Sequence, residues 1–183
     1  MKRYIVILGV ACLIAISLSH KQRIYGDNMN KMNLSNSDQE NIKELAGNYL
    51  KKLTSFANEN ELRDFYAKEL WATGGEGLEL KIIEGFSFKK MITRKDDEFG
   101  IFVRLPIEFR VISEVSENGY REIRKNQNRI LGFIFENNNW KIKSIFSSVY
   151  FSKEGAFKWA QRFKNSKNDE YARVAKLILS NLK

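Results

Sequence analysis

Between residues 101 and 111 the chain reads "IFVRLPIEFRV", and every odd position, Ile101, Val103, Leu105, Ile107, Phe109 and Val111, is apolar. Successive side chains of an extended strand point to opposite faces, so this period of two specifies a strand with one buried face. Arg104, Glu108 and Arg110 share the other, wetter face with Phe102 and Pro106. Pro106, the only proline, removes a ladder donor and predicts an edge position or a bulge.

The strand has neighbours on both sides. Before it, "LELKIIEGFSFKKMI" (residues 78–92) carries Gly85 in mid-pattern, a second bulge signal. After it, "ENG" (residues 117–119) marks a turn, and "YREIRKNQNRILGFIF" reads as a long strand more buried in its second half than in its first. Asn137, Asn138 and Asn139 then turn the chain. Trp140, Ile142 and Phe146 return on one face with Ser144 between them. These segments predict an antiparallel sheet of about four strands.

Helical periods lie on either side of the sheet. Ser37 and Glu40 have capping-box spacing, and Ile42, Leu45, Ala46, Tyr49, Leu50, Leu53, Phe56 and Ala57 follow one helical face. Asn58 and Glu61 repeat the capping spacing, and Leu62, Phe65, Tyr66, Glu69 and Leu70 predict a second, shorter helix that "TGGEG" (residues 73–77) breaks. Beyond Ser152, Ala156, Phe157, Ala160 and Phe163 form one stripe. Tyr171, Val174, Ala175, Ile178 and Leu182 form another after the cap candidate Asn168. Helices segregated from a meandering sheet define an α+β domain.

The N-terminus opens "MKRYIVILGVACLIAISLSHKQR". Lys2 and Arg3 precede an uncharged apolar run over residues 4–18, the pattern of an export signal. Residues 1–19 are therefore read as a signal peptide or signal anchor. Lys21 and Arg23 favour an anchor whose cationic stems snorkel, giving a single-pass membrane protein with an extracytoplasmic C-terminal domain. The alternative is secretion after cleavage near Ser19. Cys12 lies in "LGVAC", where a lipobox would carry a large aliphatic residue, and it reads as a small hydrophobe. Residues 20–36 form a polar tether, 37–148 the α+β domain, and 149–183 a C-terminal helical extension.

Composition excludes several chemistries. No cysteine follows Cys12, and the single histidine is His20, so the folded domain has no thiolate, imidazole base or zinc set, and neither a metal nor a cofactor is expected. With 43 % hydrophobic and 13 % aromatic residues the chain has material for a packed core. The net charge is +9. That balance favours anionic neighbours such as lipid headgroups, wall polymers or an acidic protein.

The element order, two N-terminal helices, then long bent strands closing on "ENNNWKIKSIF", resembles the cone-shaped nuclear-transport-factor-2-like superfamily over roughly residues 37–148. Anchored members of that superfamily resemble the extracytoplasmic assembly subunits of type IV secretion and conjugation systems, which hold partners rather than catalyse. Other members are small-molecule enzymes such as ketosteroid isomerase and scytalone dehydratase. The helices after Ser152 depart from the pattern, as does the absence of the histidine that several enzyme branches employ.

Two groups of side chains are candidates for a site. An apolar cup between sheet and helices draws on Phe86, Phe88, Phe102, Phe133, Trp140 and Phe146, although aromatics at strand spacing are usually core. Asp64, Tyr66, Glu84, Glu108 and Tyr120 are the groups that could serve a catalyst there, and no motif pairs them. The second group is a basic surface of Lys153, Lys158, Arg162, Lys164 and Lys167, with Phe157, Trp159 and Phe163 interleaved, which can lie at a membrane or simply be the solvated face of a packed helix. The sequence points to a noncatalytic domain at the cell envelope, anchored by its N-terminal helix and bound to a protein partner, with no direct contact to nucleic acid. A small-ligand binder or enzyme using the cup is the alternative.

Overall fold

The computed structural model describes residues 34–72 and 78–182. The apolar leader, the tether as far as residue 33 and the "TGGEG" break lie outside the described residues. No helix among those described is long and apolar enough to cross a membrane.

Helix α1 (Asn36–Thr54) starts earlier than its sequence signal implied. Its cap is Ser35, whose hydroxyl oxygen accepts from the Asp38 amide at 3.0 Å, so Ser37 is already inside the helix. Ile42, Ala46, Tyr49 and Leu50 form its buried face. Helix α2 (Glu59–Arg63) has the capping box expected of Asn58 and Glu61, but it stops after little more than one turn. Tyr66–Ala72 is strand β1, not helix. The physical reason is a neighbour distant in sequence: the Ile142 amide donates to the Phe65 carbonyl at 2.8 Å, and the Lys68 amide donates to the Glu136 carboxylate at 3.1 Å. A short helix has few internal bonds with which to compete.

Strands β2 (Leu80–Phe88), β3 (Ile92–Asp96), β4 (Gly100–Ser116), β5 (Gly119–Glu136), β6 (Asn139–Ile145) and β7 (Val149–Ser152) complete a seven-stranded sheet. Its order is β1-β6-β5-β4-β2-β7, with β3 also paired to β4. The sheet therefore exceeds the four strands expected, and it is mixed, because β1 lies parallel to β6 and β7 parallel to β2.

Strand β4, with its alternating apolar residues, lies inside this sheet between β5 and β2. Pro106 is consequently neither on an edge strand nor at a bulge: it pairs with Ile130 on one side, while on the other β2 pairs no further than Ile107 and β3 begins at Arg104. Its carbonyl accepts from the Lys89 amide at 2.9 Å, so the missing donor faces the gap between two strands, where no ladder bond is lost. The bulge at Gly85 is present as a register shift between Ile83 and Gly85. Asn137 and Asn138 make the β5–β6 turn with φ of 52° and 61°, left-handed values that asparagine tolerates, and Asn139 already pairs with Glu136.

Two cores lie on opposite faces of the sheet. On the concave face α1 packs against Val103, Leu105, Ile107, Phe109, Val111 and their neighbours. At one end of the other face, Leu80, Ile82, Val115 and Phe151 meet helices α3 (Lys153–Phe163) and α4 (Asp169–Asn181). Ser152 and Asn168 cap these helices, as their sequence positions implied. The buried stripe of α3 is rotated from the one expected: Gly155, Ala156, Trp159 and Ala160 are buried, while Phe157 is 46 % exposed. A helix layer on each face of a curled sheet makes this an α+β cone.

Contact between the ends of α1 and α3 sets that rotation. The Ser152 hydroxyl donates to the Thr54 carbonyl at 3.2 Å and accepts from the Gly155 amide at 3.0 Å. A Cβ on Gly155 would overlap that same carbonyl. Because the obstacle is backbone, relaxation is limited, and Gly155→Ala is expected to lower unfolding free energy by about 1–3 kcal/mol despite alanine's better helix propensity. Urea denaturation of the two proteins measures this, and an equal or more stable Gly155→Ala protein contradicts the close approach.

Candidate functional site

The interior of the cone is where a cup would lie. Phe133 and Trp140 are buried in the concave core, and Phe86, Phe88 and Phe146 pack against it. Phe102 is not among them: it is buried on the opposite face with Ala67 and Ile134. Its ring occupies the space that a side chain at Gly132 would need. Within the concave core, Phe109 and Tyr150 stack with centroids 4.2 Å apart and planes 11° from parallel, and Phe86 and Phe146 meet Phe109 edge-on. These rings pack against one another at the centre of the core, while Phe146 also lines a cavity together with Phe102. At its rim the Trp140 indole donates to the Asp38 carboxylate at 3.0 Å, and the Ser35 hydroxyl with this indole holds the Asp38 pKa below its ordinary value.

The groups that could serve a catalyst are dispersed. Asp64 is the exposed C-cap of α2, where its backbone carbonyl accepts from Lys141 Nζ at 2.6 Å. Glu84 pairs with Arg110 at 3.5 Å and Glu108 with Lys89 at 2.9 Å, both on the outer face. The Tyr120 hydroxyl donates to Ser113 Oγ at 3.1 Å. Tyr66 lies beside Tyr49 with hydroxyls 3.5 Å apart, and burial raises the pKa of both. Among the described residues no set of three or more acidic, histidine or cysteine side chains is placed to hold a metal ion.

The basic residues of α3 divide by environment. Lys158 pairs with Glu154 at 2.6 Å, the Lys164 ammonium donates to Gln161 Oε1 at 2.9 Å, and the Arg162 guanidinium lies over the Phe56 and Phe163 rings. Lys153 and Lys167 are exposed. Of the interleaved aromatics, Phe157 is exposed, whereas Trp159 is 1 % exposed and belongs to the second core.

Three buried charges had no sequence signal: Lys81 on β2, paired with Glu79 at 2.8 Å, and two more, Lys143 and Glu114. Lys143 on β6 is buried, with its ammonium 3.6 Å from the Glu69 carboxylate and 4.4 Å from the Phe99 ring centre. Glu114 on β4 is buried, bound by Arg121 at 2.6 Å and Lys125 at 2.8 Å, and it accepts from the Gln127 amide, whose oxygen accepts from the Tyr150 hydroxyl. Lys143 and Glu114 lie where register shifts re-aim side chains that simple alternation would place elsewhere.

The cavities flank β5. One, of about 940 Å³, lies between the ends of α3 and α4 and the sheet, and takes Tyr120, Glu122, Arg124, Lys125 and Asn126 from β5. The other, of about 480 Å³, takes Asn128, Arg129 and Ile130 from β5, together with Arg94, Phe102 and Arg104. The Arg94 guanidinium lies 4.8 Å from the Phe102 ring centre, and its buried Nε has no hydrogen-bond acceptor among the described residues.

No protein-family profile matches the chain, and no curated protein is detectably similar in sequence. A solved structure described as an "Ntf2 like protein involved in plasmid conjugation" shares 11 % identity and superposes with a TM-score of 0.36 over 69 % of this chain. The match spans 46 % of that protein's length.

Glu114 gives the domain an acid-labile element. Its burial opposes ionisation, but the hydrogen bonds and charges of Lys125 and Arg121 outweigh that and hold its pKa below the ordinary 4.5. A carboxylate with a depressed folded pKa contributes stability above its unfolded pKa and loses that contribution as pH falls through the folded value. The urea midpoint is therefore expected to fall below about pH 4.5, and to fall less in Glu114→Gln. Identical pH profiles would remove Glu114 from the acid response.

Proposed function

We propose that this chain is a noncatalytic binding domain held at the cell envelope, acting as an accessory subunit of a larger assembly of the secretion or conjugation type. The carrying observation is the packing of the concave core, where the stacked Phe109 and Tyr150 are buried and Phe86, Phe88 and Phe146 pack against the same cluster. The proposed interactions accordingly use the outer surfaces. The leader supplies location, since residues 1–19 would confine the domain to one membrane face and restricted volume would raise its effective concentration for a partner. The conjugation protein of remote similarity adds no weight to this reading, which rests on the packed core and the leader.

Crosslinking of the full chain in its native membrane, followed by mass spectrometry of partners and of this chain's own N-terminus, tests the proposal. An intact leader with a reproducible protein partner is the expected result. A chain beginning near His20 with no partner overturns it in favour of a secreted binder. Trp140→Ala separates the two uses of the interior: as a core residue it should cost about 3–5 kcal/mol of stability and leave partner crosslinking of the folded fraction unchanged. A stable Trp140→Ala protein would contradict the packed-core reading.

A further inference from the structure

Strand β5 is much longer than the strand beside it. β6 pairs only with residues 132–136, whereas β4 pairs along β5 from Gly119 to Ile134. Residues 119–131 therefore have a strand partner on one side only, and along a strand of roughly 43 Å at 3.3 Å per residue their outward amides and carbonyls form an open edge. Among the described residues, no backbone group of another strand or loop bonds to this edge. An exposed edge of this length is a template for an added strand.

Charge and shape narrow the occupant. The edge carries Arg121, Arg124, Lys125 and Arg129 against one acid of its own, Glu122. Arg121 and Lys125 are paired with Glu114 of β4 and Arg129 lies over the Tyr150 ring, which leaves Arg124 as the cation without either kind of partner among the described residues. Antiparallel pairing with a second copy would bring these cations together, which is destabilising. Arg104 and Arg124 are exposed, line the two flanking cavities, and have no carboxylate at ion-pair distance among the described residues. Arg94, which lines the smaller cavity, has a buried Nε–H without an acceptor among the described residues. Tyr120, the one aromatic of the edge, is partly buried with its hydroxyl on Ser113, so stacked nucleobases find no platform.

We propose that the open edge of β5 takes up an extended acidic segment of a protein partner as an additional strand, its carboxylates directed to Arg104 and Arg124. This deepens the binding-domain reading and rests on it. Backbone bonds supply affinity that tolerates sequence variation, while the arginines select acidic over basic segments.

The test uses the full chain in detergent and a fluorescent alternating Glu-Val peptide of about ten residues, roughly 33 Å of strand, read by anisotropy. The Glu-Val peptide should bind and weaken as salt rises, and a Lys-Val peptide should not bind. N-methylation of alternate peptide nitrogens should weaken binding roughly tenfold or more, as should Arg104→Glu with Arg124→Glu at unchanged circular dichroism. Absence of Glu-Val binding at millimolar concentration overturns the proposal, as does equal binding of the Lys-Val or N-methylated peptide, or no loss in the double variant. Binding of phosphatidylglycerol vesicles through the same arginines, with N-methylation without effect, would make the strip a lipid-headgroup site and overturn it as well. The double variant in the native-membrane crosslinking separates the two readings. If its partner persists, the edge site fails and the assembly role stands; if neither protein captures a partner while the peptide binds, the assembly role fails and the edge site stands.

Discussion

The stack of Phe109 on Tyr150 is the contact on which the curl of the sheet depends. Phe109 lies at the centre of β4, and Tyr150 lies on β7, at the far edge of the sheet beyond β2. Bringing these rings to van der Waals distance draws the edge inward over the concave face, and the Tyr150 hydroxyl then reaches Gln127 on β5 at 2.9 Å. Three strands are tied together across the mouth of the cone by one ring and its hydroxyl. A ring buried on its faces with its polar tip satisfied contributes both packing and orientation. Burial of this residue is also what raises its pKa, with the Arg129 guanidinium pulling the other way.

Elements whose signal is local were legible in the sequence. The stripe of α1 and the alternation of β4 follow from side-chain period alone, and the Asn137–Asn138 turn from residues that accept positive φ. Tyr66–Ala72 was misread because Leu62, Phe65, Tyr66 and Leu70 have helical spacing. The information that makes it a strand resides in β6, some 70 residues later, as a parallel partner that no local period can announce. Phe157 and Trp159 exchanged roles for a similar reason. Two residues apart on a helix, they face different directions, and which of them is buried was set by the contact of Gly155 with the end of α1.

The candidate site was less legible than the fold. Aromatics at strand spacing marked the core correctly as apolar, but parity separates Phe102 from Phe133, and only the register shows that they lie on opposite faces. Glu114 and Lys143 carry no signal in the sequence, because the shifts in β4, β5 and β6 are what turn them inward. A bulge moves every later residue to the other face, so an error of one position in the sequence reading becomes an error of side.

A mismatch of strand lengths produces the open edge. β4 and β5 run for 17 and 18 residues, but β6 supplies only 7, because the chain must leave β5 after Ile145 to carry Tyr150 to the opposite edge. Closing the cone through Phe109 and Tyr150 thus leaves most of β5, residues 119–131, with β4 as its one strand neighbour. Natural edges of this kind are commonly blunted by charge, and the three arginines and one lysine of residues 121–129 oppose pairing with a like-charged copy. That deterrent is selective by sign. In the proposed complex the sign that repels a second β5 is the sign that would favour an acidic strand, so protection against self-association need not preclude such a partner.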